Sequence, residues 1–310
     1  MSNRSVLTIV GPTASGKTSL AVALARRISG EVISLDSRQV FRGMAIGTAQ
    51  PTPEEQGGVR HHLIGFRDPR EAISAGEYAH LVRHHVKDIM DRGFQPIICG
   101  GAGLYYRAVT RGIFPDSVTD LEARDRLNRD YDELGGEVLL RRLEEIDPDY
   151  AAITHPNNRK RLVRALEIFA ATGKPPSEHF RGQDIKGKPG VKCFTVYLDW
   201  EPGVLETRIR ERTLNMLENG WIDEVRRLRE RYGRGELHPL DSIGYRQIGE
   251  YLDGVLPYDE LVDVIVLRTR QYAKRQRQWF RHEPVDLTLT LTPETTVGLM
   301  VQDVLAAYHG

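Results

Sequence analysis

Gly11-Pro12-Thr13-Ala14-Ser15-Gly16-Lys17-Thr18 decides how this chain is read. It follows the apolar run Val6-Leu-Thr-Ile-Val10 and precedes Ser19-Leu-Ala-Val-Ala-Leu-Ala, an apolar helical pattern. The stretch fits G-x-x-x-x-G-K-[ST], a phosphate-binding loop, in the strand–loop–helix setting that the motif needs. Glycines let backbone N–H groups converge on an anion, and a helix N-terminus adds partial positive charge. Lys17 is placed to reach a terminal phosphate, and the Thr18 hydroxyl offers a ligand to magnesium. A di- or triphosphate is the expected ligand; which phosphate, and which acceptor, stays open at this point.

The bulk numbers set bounds. The 310 residues fit one large domain or two modest ones. A hydrophobic share of 40% and a charged share of 28% are ordinary for a soluble globular protein. No apolar run approaches the ~18 residues of a membrane span. Met1-Ser-Asn-Arg-Ser leads straight into the first apolar run, so no signal peptide is expected. Cys99 and Cys193 each sit in an apolar, strand-like run and read as buried thiols, which points to the cytoplasm. A formal net charge of zero argues against indiscriminate coating of nucleic acid. Local basic patches exist nonetheless, at Asn158–Arg164 and at Leu267–Arg281.

Alternation of apolar runs with helical patterns predicts a parallel sheet flanked by helices on both faces. The expected strands are 6–10, 31–36, 61–66, 94–101 and 191–199, with 287–291 as a last edge strand. Helices are expected over 19–28, 75–92, 202–219, 221–232, 245–253 and 259–281. Between Asp120 and Ala171 the chain is charged and helical, and Arg181 to Gly190 reads as a loop. The expected layout is an α/β core in residues 1–113, an all-helical insertion in 114–188, and completion of the core in 189–310.

Asp36 closes the second strand. Strand C-termini line the ligand crevice of parallel sheets, so this carboxylate should lie beside the phosphate loop, where it could bind metal through water or accept a proton. Capping the next turn is the plainer use. The strand ending in Gly100-Gly101 lacks the aspartate of a Walker B motif, and Gly100, Gly101 and Gly103 suggest backbone close to a ligand. Arg161 and Arg164 share a helical face. Among Arg268, Arg270, Lys274, Arg275, Arg277 and Arg281, the aromatics Tyr272, Trp279 and Phe280 are interleaved. That mixture suits RNA, and equally an amphipathic helix with its aromatics in the core. His61-His62 and His84-His85 lack metal-ligand spacing and read as structural or surface residues, and Trp200 and Trp221 as core.

Read together, several ordered blocks strongly resemble the tRNA dimethylallyltransferases, also called tRNA isopentenyltransferases. They are Gly11–Thr18, Asp36–Met44 with Ile46–Ala49, Cys99–Tyr105, Arg161–Ile168, Ser242–Gln247 and Thr269–Gln276. The resemblance implies a phosphate-loop NTPase-like fold and transfer of a dimethylallyl group from dimethylallyl diphosphate to N6 of adenosine 37, in tRNAs that read codons beginning with U. It assigns the loop, with Mg2+, to the prenyl diphosphate; the motif also earns the family a nucleotide-binding label. Asp36 would receive the N6 proton, and Lys17 and Arg212 would serve the diphosphate, with Arg208 as the second choice. Asp36, Ser37, Arg38 and Gln39 would meet the flipped adenosine and its neighbours. Ala102, Arg124, Lys160, Arg161, Leu162, Val163 and Arg164 would contact the tRNA anticodon stem-loop. A monomer without membrane attachment is expected.

Three positions depart from the family pattern: Ala102 where Thr is common, Phe41 where Tyr is usual, and Ala45 where Asp is frequent. Each removes a polar contact, and none removes a phosphate ligand or the expected base. The rival readings are a small-molecule kinase, which leaves the late basic blocks unexplained, and a GTPase-like RNA-binding factor, which would need the absent N-K-x-D motif.

Overall fold

Val6–Val10 (β1) is buried along its whole length, as a strand covered on both faces must be. The computed structural model describes residues 5–112, 120–181, 190–233 and 237–309. After β1 come α1 (Lys17–Ile28), β2 (Gly30–Leu35), β3 (His61–His62), α2 (Ala75–Asp91), β4 (Gln95–Gly100) and α3 (Gly103–Thr110). Three longer helices follow: α4 (Leu121–Leu134), α5 (Gly136–Ile146) and α6 (Arg159–Thr172). The chain then runs through β5 (Cys193–Trp200), α7 (Pro202–Glu218), α8 (Trp221–Tyr232), α9 (Tyr245–Leu252), α10 (Tyr258–Phe280), β6 (Leu287–Leu291) and α11 (Val297–His309).

Two compact units result, one of Met1–Thr110 with Val191–Gly310, the other of Arg111–Gly190. The expected boundaries at 113/114 and 188/189 and most of the expected loop at 181–190 lie outside the described residues. The first unit holds a six-stranded sheet in the order β3-β2-β4-β1-β5-β6, parallel throughout and flanked by helices. Its core joins β1, α1, β5 and α11 through Ile9, Leu24, Val196, Leu198 and Val304. The second unit is helical, with α4 and α5 packed on α6 around Leu139, Leu143, Leu162 and Leu166.

Strand register is the feature that matters for function. Val10 pairs with Gly100 and with Tyr197, and Leu35 pairs with Gly100. The strands therefore end at one level, and the residues that follow them, Gly11, Asp36 and Gly101, emerge side by side at the C-terminal edge of the sheet.

Several sequence expectations are corrected. The strand expected over 61–66 shrinks to His61–His62, because Leu63 and Gly65 take positive φ and turn the chain. Gly103 serves the chain's own packing, a Cβ there lying 2.4 Å from the Trp279 ring; Gly100 also packs tightly, a Cβ there lying 2.1 Å from the Leu35 carbonyl, but lines a cleft with Gly101. Helices α3 and α11 have no counterpart in the periodicity reading.

Candidate active site

The loop after β1 is held from behind by its own unit. The Ser15 carbonyl accepts from Trp200 Nε1 at 3.0 Å, and the Ala14 carbonyl from Arg208 Nε at 2.9 Å. The Arg208 guanidinium in turn covers the Trp200 ring at 4.6 Å. Ala14 has φ +63°, a left-handed conformation that a non-glycine residue holds only when its surroundings fix it. Lys17, at the first turn of α1, donates from Nζ to the Pro12 carbonyl at 2.6 Å. Burial is the chief influence on its ammonium, and its pKa is pushed down to about 8.

Helices α7 and α10 complete the surround. Arg212, on α7, donates from Nη2 to Thr13 Oγ1 at 2.6 Å, and burial lowers its pKa. Gln276, on α10, accepts from Thr13 N at 2.8 Å and donates to the Gly101 carbonyl at 2.9 Å. On the other side Asp36 Oδ1 accepts from Arg38 N at 2.7 Å and Gln39 N at 3.2 Å. That oxygen caps the turn 36–39, as the plainer sequence reading anticipated; among the described residues Oδ2 accepts no hydrogen bond. Gln39 is itself fixed, accepting from Ser34 Oγ at 2.9 Å and donating to the Ala49 carbonyl at 2.7 Å. Loop and aspartate open into one cleft of about 1070 Å³, lined also by Cys99, Arg208, Arg212, Trp221 and Tyr272. Burial, reinforced by the charge of Asp36, raises the pKa of the Tyr272 hydroxyl, and burial pushes the Cys99 thiol up to about 11.

The aromatics of the late basic segment divide. Phe280 is buried, Trp279 lies under Gly103 with the Arg107 guanidinium 4.5 Å from its ring, and Tyr272 faces the cleft. Trp200 and Trp221 are buried as expected. So is His62, whose Nε2 meets Glu31 Oε2 at 2.7 Å. Among the described residues no group of three His, Cys, Asp or Glu could hold a metal.

In the helical unit, Glu167 is fully buried. It pairs with Arg124 at 3.0 Å and Arg164 at 2.9 Å, while the Arg161 guanidinium lies 4.9 Å from the Tyr150 ring. Lys160 is exposed. Leu162 and Val163, expected at the tRNA surface, are core residues at 0% and 4% exposure, so their side chains have no surface to offer a ligand. Gln276, the brace on the loop, escaped the sequence reading; its signal was an uncharged polar residue at an apolar-face position of a basic helix.

An anion loop on a parallel sheet edge, with buried cations on one side and a carboxylate on the other, defines an α/β protein of the phosphate-loop class. The comparisons narrow this class. Residues 39–283 match the family described as IPP transferase. A tRNA dimethylallyltransferase of Syntrophobacter fumaroxidans is 42% identical over 90% of this chain and 81% of its own length. One from Roseiflexus sp. is 43% identical over 92% of both. Among solved structures, the tRNA isopentenylpyrophosphate transferase of Bacillus halodurans superposes with a TM-score of 0.70 at 36% identity, over 99% of this chain and 97% of that one. A eukaryotic dimethylallyltransferase acting on tRNA gives 0.76 at 30% identity, over 90% and 70%. The chain belongs to the tRNA dimethylallyltransferase family of prenyl-transferring enzymes.

Proposed function

We propose that the enzyme moves a dimethylallyl group from dimethylallyl diphosphate to N6 of adenosine 37, in tRNAs reading codons that begin with U. The observation that carries this is the strand register, which brings the anion loop and Asp36 to one edge of the sheet and into one cleft. In the reaction the allylic carbon–oxygen bond breaks and a carbon–N6 bond forms. Diphosphate leaves, and the N6 proton goes to Asp36 Oδ2, the oxygen not used in the turn.

N6 is a weak nucleophile, because its lone pair is delocalised into the ring, so the leaving group must carry much of the catalysis. Lys17, Arg212 and the N–H groups of the loop supply fixed positive charge where negative charge grows. Thr18 would hold Mg2+ through its hydroxyl, and the bound ion would neutralise charge on the leaving diphosphate. The residues fit such an ion: the Thr18 hydroxyl is half-buried in the cleft, and among the described residues no group of three His, Cys, Asp or Glu forms a cage of its own, as suits an ion that would arrive with a phosphate-bearing substrate. Adenosine 37 lies in a single-stranded loop, which keeps the cost of extruding it to about a few kcal/mol. Ser37, Arg38, Gln39 and Ala102 then meet the base and its neighbours, while Arg124, Lys160, Arg161 and Arg164 hold the anticodon stem-loop. The protein acts as a cytoplasmic monomer; none of its described helices is long and apolar enough to cross a membrane.

Replacing Asp36 with Asn, which leaves an oxygen to cap the turn 36–39, tests the base. Turnover should fall ~10²–10⁴-fold with tRNA affinity nearly intact. Turnover within threefold of the parent enzyme removes the assignment.

A further inference from the structure

We propose that Gln276 is a positioning residue that keeps the phosphate loop in its anion-binding shape, an inference that rests on assigning that loop to the donor's diphosphate. The buried residues of α10 are Leu261, Ile265, Val266, Ala273, Gln276 and Phe280, and Gln276 is the polar member of the set. Its amide joins three separate segments. Oε1 accepts from Thr13 N in the loop after β1, and Nε2 donates to the Gly101 carbonyl at the end of β4. Both ends are used, so the orientation of the amide is fixed: one contact needs an acceptor, the other a donor. Gly101 leaves the room, since a Cβ there would lie 2.4 Å from Nε2.

Two consequences follow. The Thr13 N–H is already bonded, so the anion takes its backbone donors from residues further along the loop. Thr13, held by its backbone, also presents Oγ1 to Arg212 Nη2 at 2.6 Å. Gln276 thus sets Thr13, and Thr13 sets a buried cation of the site. Without Gln276 a backbone N–H and a carbonyl lose their buried partner, and a loop relieves such a defect by moving.

The test uses the full chain with Gln276→Leu and, separately, Gln276→Asn, which keeps an amide but is one methylene too short to span both partners. The readouts are the donor KM, inhibition by inorganic pyrophosphate, and binding of an anticodon stem-loop RNA. The donor KM and the pyrophosphate inhibition constant should each rise at least tenfold, with RNA affinity within twofold of the parent. A merely structural role would lower the active fraction and Vmax while leaving both constants unchanged. Constants within twofold of the parent in either folded variant overturn the proposal. If pyrophosphate fails to inhibit the parent enzyme and Lys17→Ala binds dimethylallyl diphosphate as tightly as the parent in a direct binding measurement, the loop assignment itself fails and takes this inference with it.

Discussion

Lys17 gives the reaction a falling limb in mildly alkaline solution. Its ammonium is desolvated in the cleft, with Arg212 adding to the effect against Cys99 and Asp36, and its pKa drops from 10.5 to about 8. Raising pH is the perturbation. At pH 9 only about one free enzyme in eleven keeps the charge, whereas a lysine of ordinary pKa would stay more than ~90% protonated. Phosphate groups lose their last proton near pH ~6, so the donor is already fully ionised and contributes no further change. The donor kcat/KM should therefore fall ~10-fold by pH 9 and ~100-fold by pH 10, because it reports the enzyme before the donor binds. Bound diphosphate stabilises the ammonium, so the limb in kcat should lie at higher pH. The assay is initial rates from pH 7 to 10 with tRNA saturating and donor scarce. Lys17→Arg, which keeps its charge, should lack the limb. A flat donor kcat/KM to pH 9.5, or an identical limb in Lys17→Arg, refutes the reasoning.

Other outcomes follow from the same structure. Glu31 is held at a pKa of about 2, chiefly by its hydrogen bonds from Arg92 and with His62 also bonded. A carboxylate depressed on folding stabilises the protein above its unfolded pKa and loses that contribution as pH falls; denaturant titrations should show about 3 kcal/mol disappearing between pH 4.5 and 2, and Glu31→Gln should remove most of that slope. Replacing Arg161 and Arg164 together with Ala should flatten the salt dependence of tRNA binding by ~1 in slope for each phosphate left without its cation; an unchanged slope marks both as structural, Arg164 serving Glu167 and Arg161 the Tyr150 ring. Leu162→Ala should cost about 2–5 kcal/mol of stability by leaving a cavity, seen as earlier proteolysis of the helical unit, and leave that salt slope unchanged.

The sheet was legible because its central strands are short, nearly continuous apolar runs, which burial on both faces requires; the edge strand β6 showed instead by alternation, and β3, His61-His62, carries neither signal. Lys17, Thr18 and Asp36 were legible for a related reason, since a parallel sheet sends every strand end to the same edge. What sequence could not supply was partnership across distance. Gln276 is 263 residues from Thr13, and no periodicity links them. Burial divided the Arg161–Arg164 block. A charged string reads as surface, yet α6 turns Leu162 and Val163 into the core, and Arg161 and Arg164 on either side of them are half-buried, Arg164 pairing with the buried Glu167. The glycines at the end of β4 mark close approach twice over: Leu35, Gln276 and Trp279 of the chain itself lie against them, while Gly100 and Gly101 also line the cleft. Helix α11 was missed although Val297, Met300, Val301, Val304, Leu305 and Tyr308 recur at helical spacing on its core side, because Leu299, Ala306 and Ala307 elsewhere on the helix blur that stripe.

Incubating the enzyme with dimethylallyl diphosphate labelled in its hydrocarbon, and with bulk tRNA, tests the central claim most directly. The account predicts label on N6 of a single adenosine beside the anticodon, with transfer abolished in Lys17→Ala and reduced at least a hundredfold in Asp36→Asn. Unlabelled tRNA, together with phosphate release from ATP in the presence of a small acceptor, would contradict it.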